Sequence, residues 1–195
     1  MFIFPTTGMR EAHRFADLAH AGQVRKYVGR PYIEHPVAVA RLVMRFEHDE
    51  AMVMAGLLHD VKEDCGVTDS ELVRLFGSDV AGLVDDLSDV SRPEDGNRAA
   101  RKAIDLAHTA AAKPRAKSIK AADLTHNSMS IVRHGGAFAP VYLAEKARVL
   151  AVLGDASEPR LVALAQRVHT RAMHRLQVAS MRAQISISGG RRLVA

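Results

Sequence analysis

The string GLLHDVKED, residues 56–64, sets one imidazole among three carboxylates at the end of a strongly apolar run. An ionised Asp drawn inward by such a run must be paired or bound to a cation. On a continuous helix Glu63 follows His59 by four residues and Asp64 follows Asp60 by four, so each pair shares a face. Two residues of matching chemistry stand elsewhere, His35 in PYIEHP and Asp123 in KAADLTHN. The order is H…HD…D, with separations of 24 and 63 residues. Imidazoles and carboxylates are the donors of a divalent-cation site that carries out hydrolysis. Each residue also has a structural reading. His59 can be a cap or core histidine, and Asp60 and Glu63 can face solvent beside Lys62. His35 can be a loop histidine and Asp123 a polar helix residue. Type and spacing alone leave both readings open.

The elements that must position these residues are helical nearly throughout, and no stretch alternates as a strand would. Thr6 or Thr7 caps a first helix ending near Ala21. The loop GQVRKYVGRPYIEHP follows, rich in positive charge and punctuated by Gly22, Gly29, Pro31 and Pro36. A second helix starts near Pro36, since proline suits a first turn. A third, from Asp49 to Glu63, is apolar enough to lie centrally in the core. Thr68 or Asp69 opens a short helix that Gly77 stops, and Asp79 begins another. SRPEDGN is a polar loop. Helical period returns from Asn97 to Ala112, breaks at Pro114 and resumes to about His134; residues 138–153 and 158–184 supply two more helices. This predicts an all-α bundle of about 8–10 helices in a single domain. The core spans residues 1–155, a helical extension over 156–184 packs on it, and 185–195 form a loose tail.

The 195 residues are 48% hydrophobic and 25% charged, enough to bury a core without disulfides. The lone Cys65 excludes an internal disulfide and fits a reducing compartment. No apolar run approaches the roughly 18 residues of a membrane span. MFIFPTTGMREAH has no basic stretch ahead of its short apolar one and does not read as a signal peptide. A cytoplasmic location is expected. The net charge of +5 is concentrated: residues 160–195 hold seven arginines and no acid, leaving 20 basic and 22 acidic side chains in the first 159. The excess belongs to one C-terminal helix without interleaved aromatics, so neither nucleic acid nor a membrane is expected as a partner. The apolar side of that helix can meet the domain or a second copy of the chain, which keeps a homo-oligomer open.

Five strings, AHAGQVRKYVGRPYIEHPVAVA, AGLLHDVKED, FGSDVAGLVDDLSDV, NRAARKAIDLA and IKAADLTHN, occur in this order across most of residues 10–150. In them the chain resembles the hydrolase domain of the RelA/SpoT family, the HD enzymes that remove the 3′-pyrophosphate from (p)ppGpp. No synthetase segment follows within these residues, so the resemblance is to a stand-alone small alarmone hydrolase of the metazoan SpoT-homologue kind.

The resemblance implies that His35, His59, Asp60 and Asp123 bind a metal, with Mn²⁺ the expected ion. Glu63 and Asp64 match the catalytic pair that supports attack by water. Arg25 and Lys26 match a basic pair that meets substrate phosphates, and Asn127 matches a substrate-binding asparagine. Two imidazoles and two carboxylates suit Mn²⁺ without excluding Fe²⁺ or Zn²⁺, and no thiolate set is available for structural zinc. Arg101, with Arg98 and Lys102, is a candidate second phosphate clamp, against a reading as solvated helix charge. Tyr32 is a candidate base-stacking residue, against a reading as an apolar anchor at helix entry. One position departs from the pattern: the basic residue usual directly after the family's aspartate is Leu124 here, followed by Thr125. The expected partner is a nucleotide, hydrolysed to GDP or GTP and pyrophosphate. The alternatives are the same chemistry on another nucleotide such as NADPH, and a nucleotide-sensing module without turnover.

Overall fold

The apolar run ahead of His59 forms the central helix of the molecule. A computed structural model describes residues 3–26, 28–46, 49–134 and 136–190, with side chains to residue 182. In it seven of the nine residues of α3 (Glu50–Leu58) are buried. Asp49 caps this helix by accepting from the Met52 N–H at 3.2 Å. Against it lie α1 (Thr7–Ala19), capped by Thr6, and α2 (Glu34–Phe46), which starts two residues ahead of Pro36. Gly56 allows α2 and α3 to approach closely, since a Cβ there would sit 3.3 Å from the Ala40 Cα.

α3 does not continue to Glu63. It ends at Leu58, His59 and Asp60 form a turn, and α4 (Val61–Cys65) starts afresh before Gly66 stops it at φ 69°. The expected single helix from Asp49 to Glu63 is therefore two. The cause is local: the His59 Nδ1–H takes the Gly56 carbonyl at 2.9 Å, the acceptor that a continuous helix would offer to the Asp60 N–H.

α5 (Asp69–Leu87) is capped by Thr68 and breaks at Gly77, the residue expected to stop a helix there, with φ 84° and ψ 164°. A 3₁₀ turn at Pro93–Asp95 leads to α6 (Arg98–Ala111), capped by Asn97. α7 (Pro114–His134) touches α2, α3 and α5. A further 3₁₀ turn, Gly136–Phe138, opens α8 (Ala139–Ala151), and α9 (Pro159–Gly190) packs along α7 and α8. The described residues thus form nine α-helices, one isolated backbone bridge from Val24 to Pro31, and no strand. No helix among them is long and apolar enough to cross a membrane.

α9 runs to Gly190, through residues 185–190, which the period marks as a loose tail. A helix already running needs no new nucleus, and serine and isoleucine cost it only a few tenths of a kcal/mol each. Residues 191–195, with Arg191 and Arg192, lie outside the described residues.

The apolar interior has two parts. The main core draws on α1, α2, α3, α5, α7 and α9 and includes Leu57, Leu58, Leu72 and Ile119. Leu124 belongs to it at 1% exposure, so this position faces the interior and no pocket. A satellite of four buried residues, Ile131, Ala139, Leu143 and Ala172, sits where α7, α8 and α9 meet.

Candidate metal centre

The break after Leu58 turns His59 and Asp60 towards the first turn of α2 and the middle of α7. His35, His59 and Asp123 are buried, and the Asp60 side chain is 18% exposed. His59 Nε2 lies 3.3 Å from His35 Nε2 and 3.1 Å from Asp60 Oδ2. His35 Nε2 lies 3.2 Å from Asp123 Oδ1 and 3.6 Å from Asp60 Oδ2. His35, His59 and Asp123 each bring a ligand atom within 4.8 Å of the other two, and Asp60 stands beside the two histidines.

The donor chemistry fits a divalent cation. The His59 Nδ1–H is spent on Gly56, which leaves Nε2 as the ring atom that faces the cluster. On the far side of His35, Nδ1 lies 2.8 Å from Nδ1 of His126, and the two rings stack with centroids 5.0 Å apart. Burial, then the nearby His35, push His126 down to about 4, so at neutral pH it is uncharged and accepts the His35 Nδ1–H. Two imidazoles and two carboxylates are gathered here, a donor set that suits a divalent ion held by His35, His59 and Asp123 with Asp60 beside them. Burial would raise Asp60 and Asp123, yet the two histidines hold both well below the usual carboxylate range. Burial also keeps His35 below its usual value, whereas at His59 burial is outweighed by Asp60, which carries it up to about 9.

The expected catalytic pair flanks this cluster. Glu63 Oε1 accepts the Asp89 N–H at 2.7 Å. Crowding by protein atoms and the Asp89 charge raise its carboxyl to about 7. Asp64 is exposed on α4, near enough to Tyr32 to add to the charge that, behind burial and Asp60, raises that phenol. Tyr32 is also tied to the cluster. Its hydroxyl donates to Asp60 Oδ2 at 2.8 Å and its ring stacks on His20, centroids 4.6 Å apart. It orients the Asp60 carboxylate.

Beside the cluster opens a cavity of about 300 Å³ lined by Arg25, Lys26, Tyr32, Asn127, Phe138 and Tyr142. Asn127 ties it to the cluster, donating to Asp123 Oδ1 at 2.6 Å and accepting from the Arg25 guanidinium at 2.9 Å. Arg101 is not brought here. Its Nε is buried without a hydrogen-bond partner, and it lines neither this cavity nor the smaller one beside Lys102.

Four residues at the site escape the sequence reading. His126 follows Asp123 by three residues and could have been found by that spacing. Lys120 precedes it by three. Tyr142 presents a buried hydroxyl without a partner, and Lys146 stands with its ammonium 5.4 Å from the Tyr142 ring centroid. Nothing in the local pattern of α8 sets these last two apart from ordinary helix residues.

The HD domain family matches residues 12–157. The chain belongs to the HD domain family. The buried histidines and aspartates are thus the candidate metal centre of an HD domain. A solved structure described as "A metazoan ortholog of SpoT hydrolyzes ppGpp and plays a role in starvation responses" shares this HD fold. Its TM-score is 0.76 at 26% identity, over 87% of this chain and 98% of that one. A Listeria monocytogenes structure shares the fold at TM-score 0.58 and 24% identity, over 74% of this chain and 99% of that one. Among curated relatives, a guanosine-3′,5′-bis(diphosphate) 3′-pyrophosphohydrolase of Vibrio cholerae is 48% identical over 84 residues, 43% of this HD chain and 12% of that protein. The bifunctional (p)ppGpp synthase/hydrolase SpoT of Escherichia coli is 37% identical over 126 residues, 63% of this chain and 18% of that protein. The chain therefore spans less than a fifth of the length of these two relatives.

Proposed function

We propose that this HD domain is a cytoplasmic, Mn²⁺-dependent hydrolase that converts (p)ppGpp to GDP or GTP and pyrophosphate. The observation that carries this reading is one juxtaposition. The His35–His59–Asp123 cluster, with Asp60 beside it, adjoins Glu63 on one side and, through Asn127 and Arg25, a nucleotide-sized cavity on the other. When bound, the divalent ion supplies Lewis acidity, acidifying a water and neutralising charge on the phosphoryl group.

Glu63 takes the proton from the attacking water. Its raised carboxyl suits a base working near neutral pH, and the Asp89 N–H holds one of its oxygens. The water oxygen bonds to the phosphorus next to the ribose, the bond from that phosphorus to the 3′-oxygen breaks, and the 3′-oxygen leaves with a proton. Asp64 supports the position of α4 and Tyr32. Arg25 and Lys26 set positive charge where the phosphate oxygens lie. Tyr142 offers its unpaired hydroxyl and ring to the nucleoside, and Asn127 holds Asp123 while facing the same cavity.

The test offers the Mn²⁺-loaded protein ppGpp, pppGpp and NADPH, with products separated chromatographically. Pyrophosphate from ppGpp, lost on chelation and in Asp60→Ala, is expected. Phosphate from NADPH alone would move the substrate assignment, and binding without products would make the chain a sensor.

A further inference from the structure

A second cavity, of about 80 Å³, lies between α6, α7 and α8. It is far smaller than the roughly 300 Å³ at which drug-sized ligand sites begin, so it suits a single compact group. Four cationic side chains line it, Lys102, Lys120, Lys146 and Arg148, against three acids. The acids are already matched. Lys102 reaches Asp89 at 2.5 Å and Asp105 at 3.0 Å, and Arg98 holds Glu145 at 2.7 Å.

Lys120 and Lys146 have no carboxylate within ion-pair distance among the described residues. Lys120 Nζ donates to the Leu87 carbonyl at 3.1 Å, and Lys146 Nζ lies against the face of Tyr142. Two ammonium groups converge here with no counter-ion of their own. Burial, then the nearness of Lys120, lower the pKa of Lys146. Burial opposes charge on Lys120 as well, yet Asp123, Asp89, Glu63 and Asp60 together hold it raised. Lys120 therefore stands within electrostatic reach of the reacting groups. On the other side Lys146, which lines this pocket, rests its ammonium against the ring of Tyr142, which lines the nucleotide cavity. An anion bound between the two lysines would be adjacent to both.

We propose that the small cavity is a subsite for the distal phosphate of the substrate's pyrophosphate arm, with Lys120 and Lys146 as its ion-pairing groups. The inference rests on the hydrolase reading above. It makes Lys146 a specificity residue, because a 3′-diphosphate reaches it and a 3′-monophosphate does not. A charge-assisted contact of this kind distinguishes the two substrates more than the metal ligands can, since both substrates present the same proximal phosphate.

Inorganic pyrophosphate titrated calorimetrically into the metal-stripped protein is the direct probe. Lys146→Met is expected to weaken binding about tenfold or more. Lys146→Arg restores it, and Lys113→Met, at an exposed lysine outside the cavity, leaves it unchanged. Thermal unfolding of each variant verifies that it folds. Steady-state rates on the Mn²⁺-loaded protein add the second arm. Lys146→Met is expected to raise KM for ppGpp by about the same factor and to leave the analogue with a single 3′-phosphate untouched. Pyrophosphate affinity indifferent to Lys146, or an equal loss on both substrates, overturns the subsite. The two readings fail separately. Lys146-dependent pyrophosphate binding in a protein that turns over no ppGpp retains the subsite and removes the substrate assignment. Turnover of ppGpp with pyrophosphate binding indifferent to Lys146 does the reverse.

Discussion

His35 and Asp123 hang from α2 and α7 and His59 from the turn that ends α3, helices whose inner faces meet in the main core, while Tyr142 and Lys146 stand on α8 beside the four-residue satellite of Ile131, Ala139, Leu143 and Ala172. Every expected ligand is also fixed by a neighbour: Gly56 for His59, His126 for His35, Tyr32 for Asp60 and Asn127 for Asp123. Tyr142 has no hydrogen-bond partner for its hydroxyl. One side of the site is held before any ligand arrives. The other is completed by what binds. Regions with few buried apolar contacts open at lower free energy than the core, so chemistry is assigned to the firm side and discrimination between nucleotides to the α8 side.

The contrast breaks first at the ligands. Asp123→Ala is expected to lower kcat/KM by about 10³-fold or more and to take bound manganese, measured by elemental analysis, from one ion per chain to none. Full manganese content in that variant would make the cluster a structural polar nest.

Glu63→Gln comes next, with a loss of about 10²–10³ in kcat and unchanged manganese content. Because the Glu63 carboxyl is raised from 4.5 to about 7, its basic form is gained as pH rises through about 7. Activity is expected to fall below that pH in the wild type, and the Gln variant to lack this limb. The stability sign is opposite. The folded protein favours the neutral carboxyl, so its contribution is present at acid pH and lost as pH rises from 4.5 through about 7.

His126→Ala sharpens the firm side. Removing the acceptor that orients His35 is expected to weaken Mn²⁺ affinity by about 10–100-fold, measured by titration, with the ppGpp KM at saturating metal unchanged. The smallest catalytic effect belongs to the α8 side. Leu143→Ala is expected to raise the ppGpp KM several-fold and leave manganese content intact. Its companion Leu58→Ala, in the main core, costs about 2–5 kcal/mol, lowers the melting temperature by about 2–4 °C for each of these, and weakens metal binding. Equal losses of metal in the two leucine variants would erase the distinction.

The firm side is also the legible one. Caps at Thr6, Asp49, Thr68 and Asn97, and the Pro114 break, are local chemistry and emerge where the residue types put them. The ligand order H…HD…D survives any helix boundary, because it depends on residue types alone. The break at His59 was not legible, since it comes from a side chain competing for one backbone carbonyl. Glu63 and Asp64 accordingly flank the cluster from a separate short helix. Tyr32 shows the same limit, because the carboxylate that takes its hydroxyl is 28 residues away. Lys146 meets Lys120 only through the packing of α8 against α7, which no spacing within α8 encodes.

Hydrolysis of ppGpp in water enriched in ¹⁸O, with mass analysis of both products, tests the central claim most directly. Attack on the phosphorus next to the ribose, at the His35–His59–Asp60–Asp123 cluster, predicts one ¹⁸O in pyrophosphate and none in GDP. Label in the guanosine product, or release of labelled orthophosphate in place of pyrophosphate, would contradict it.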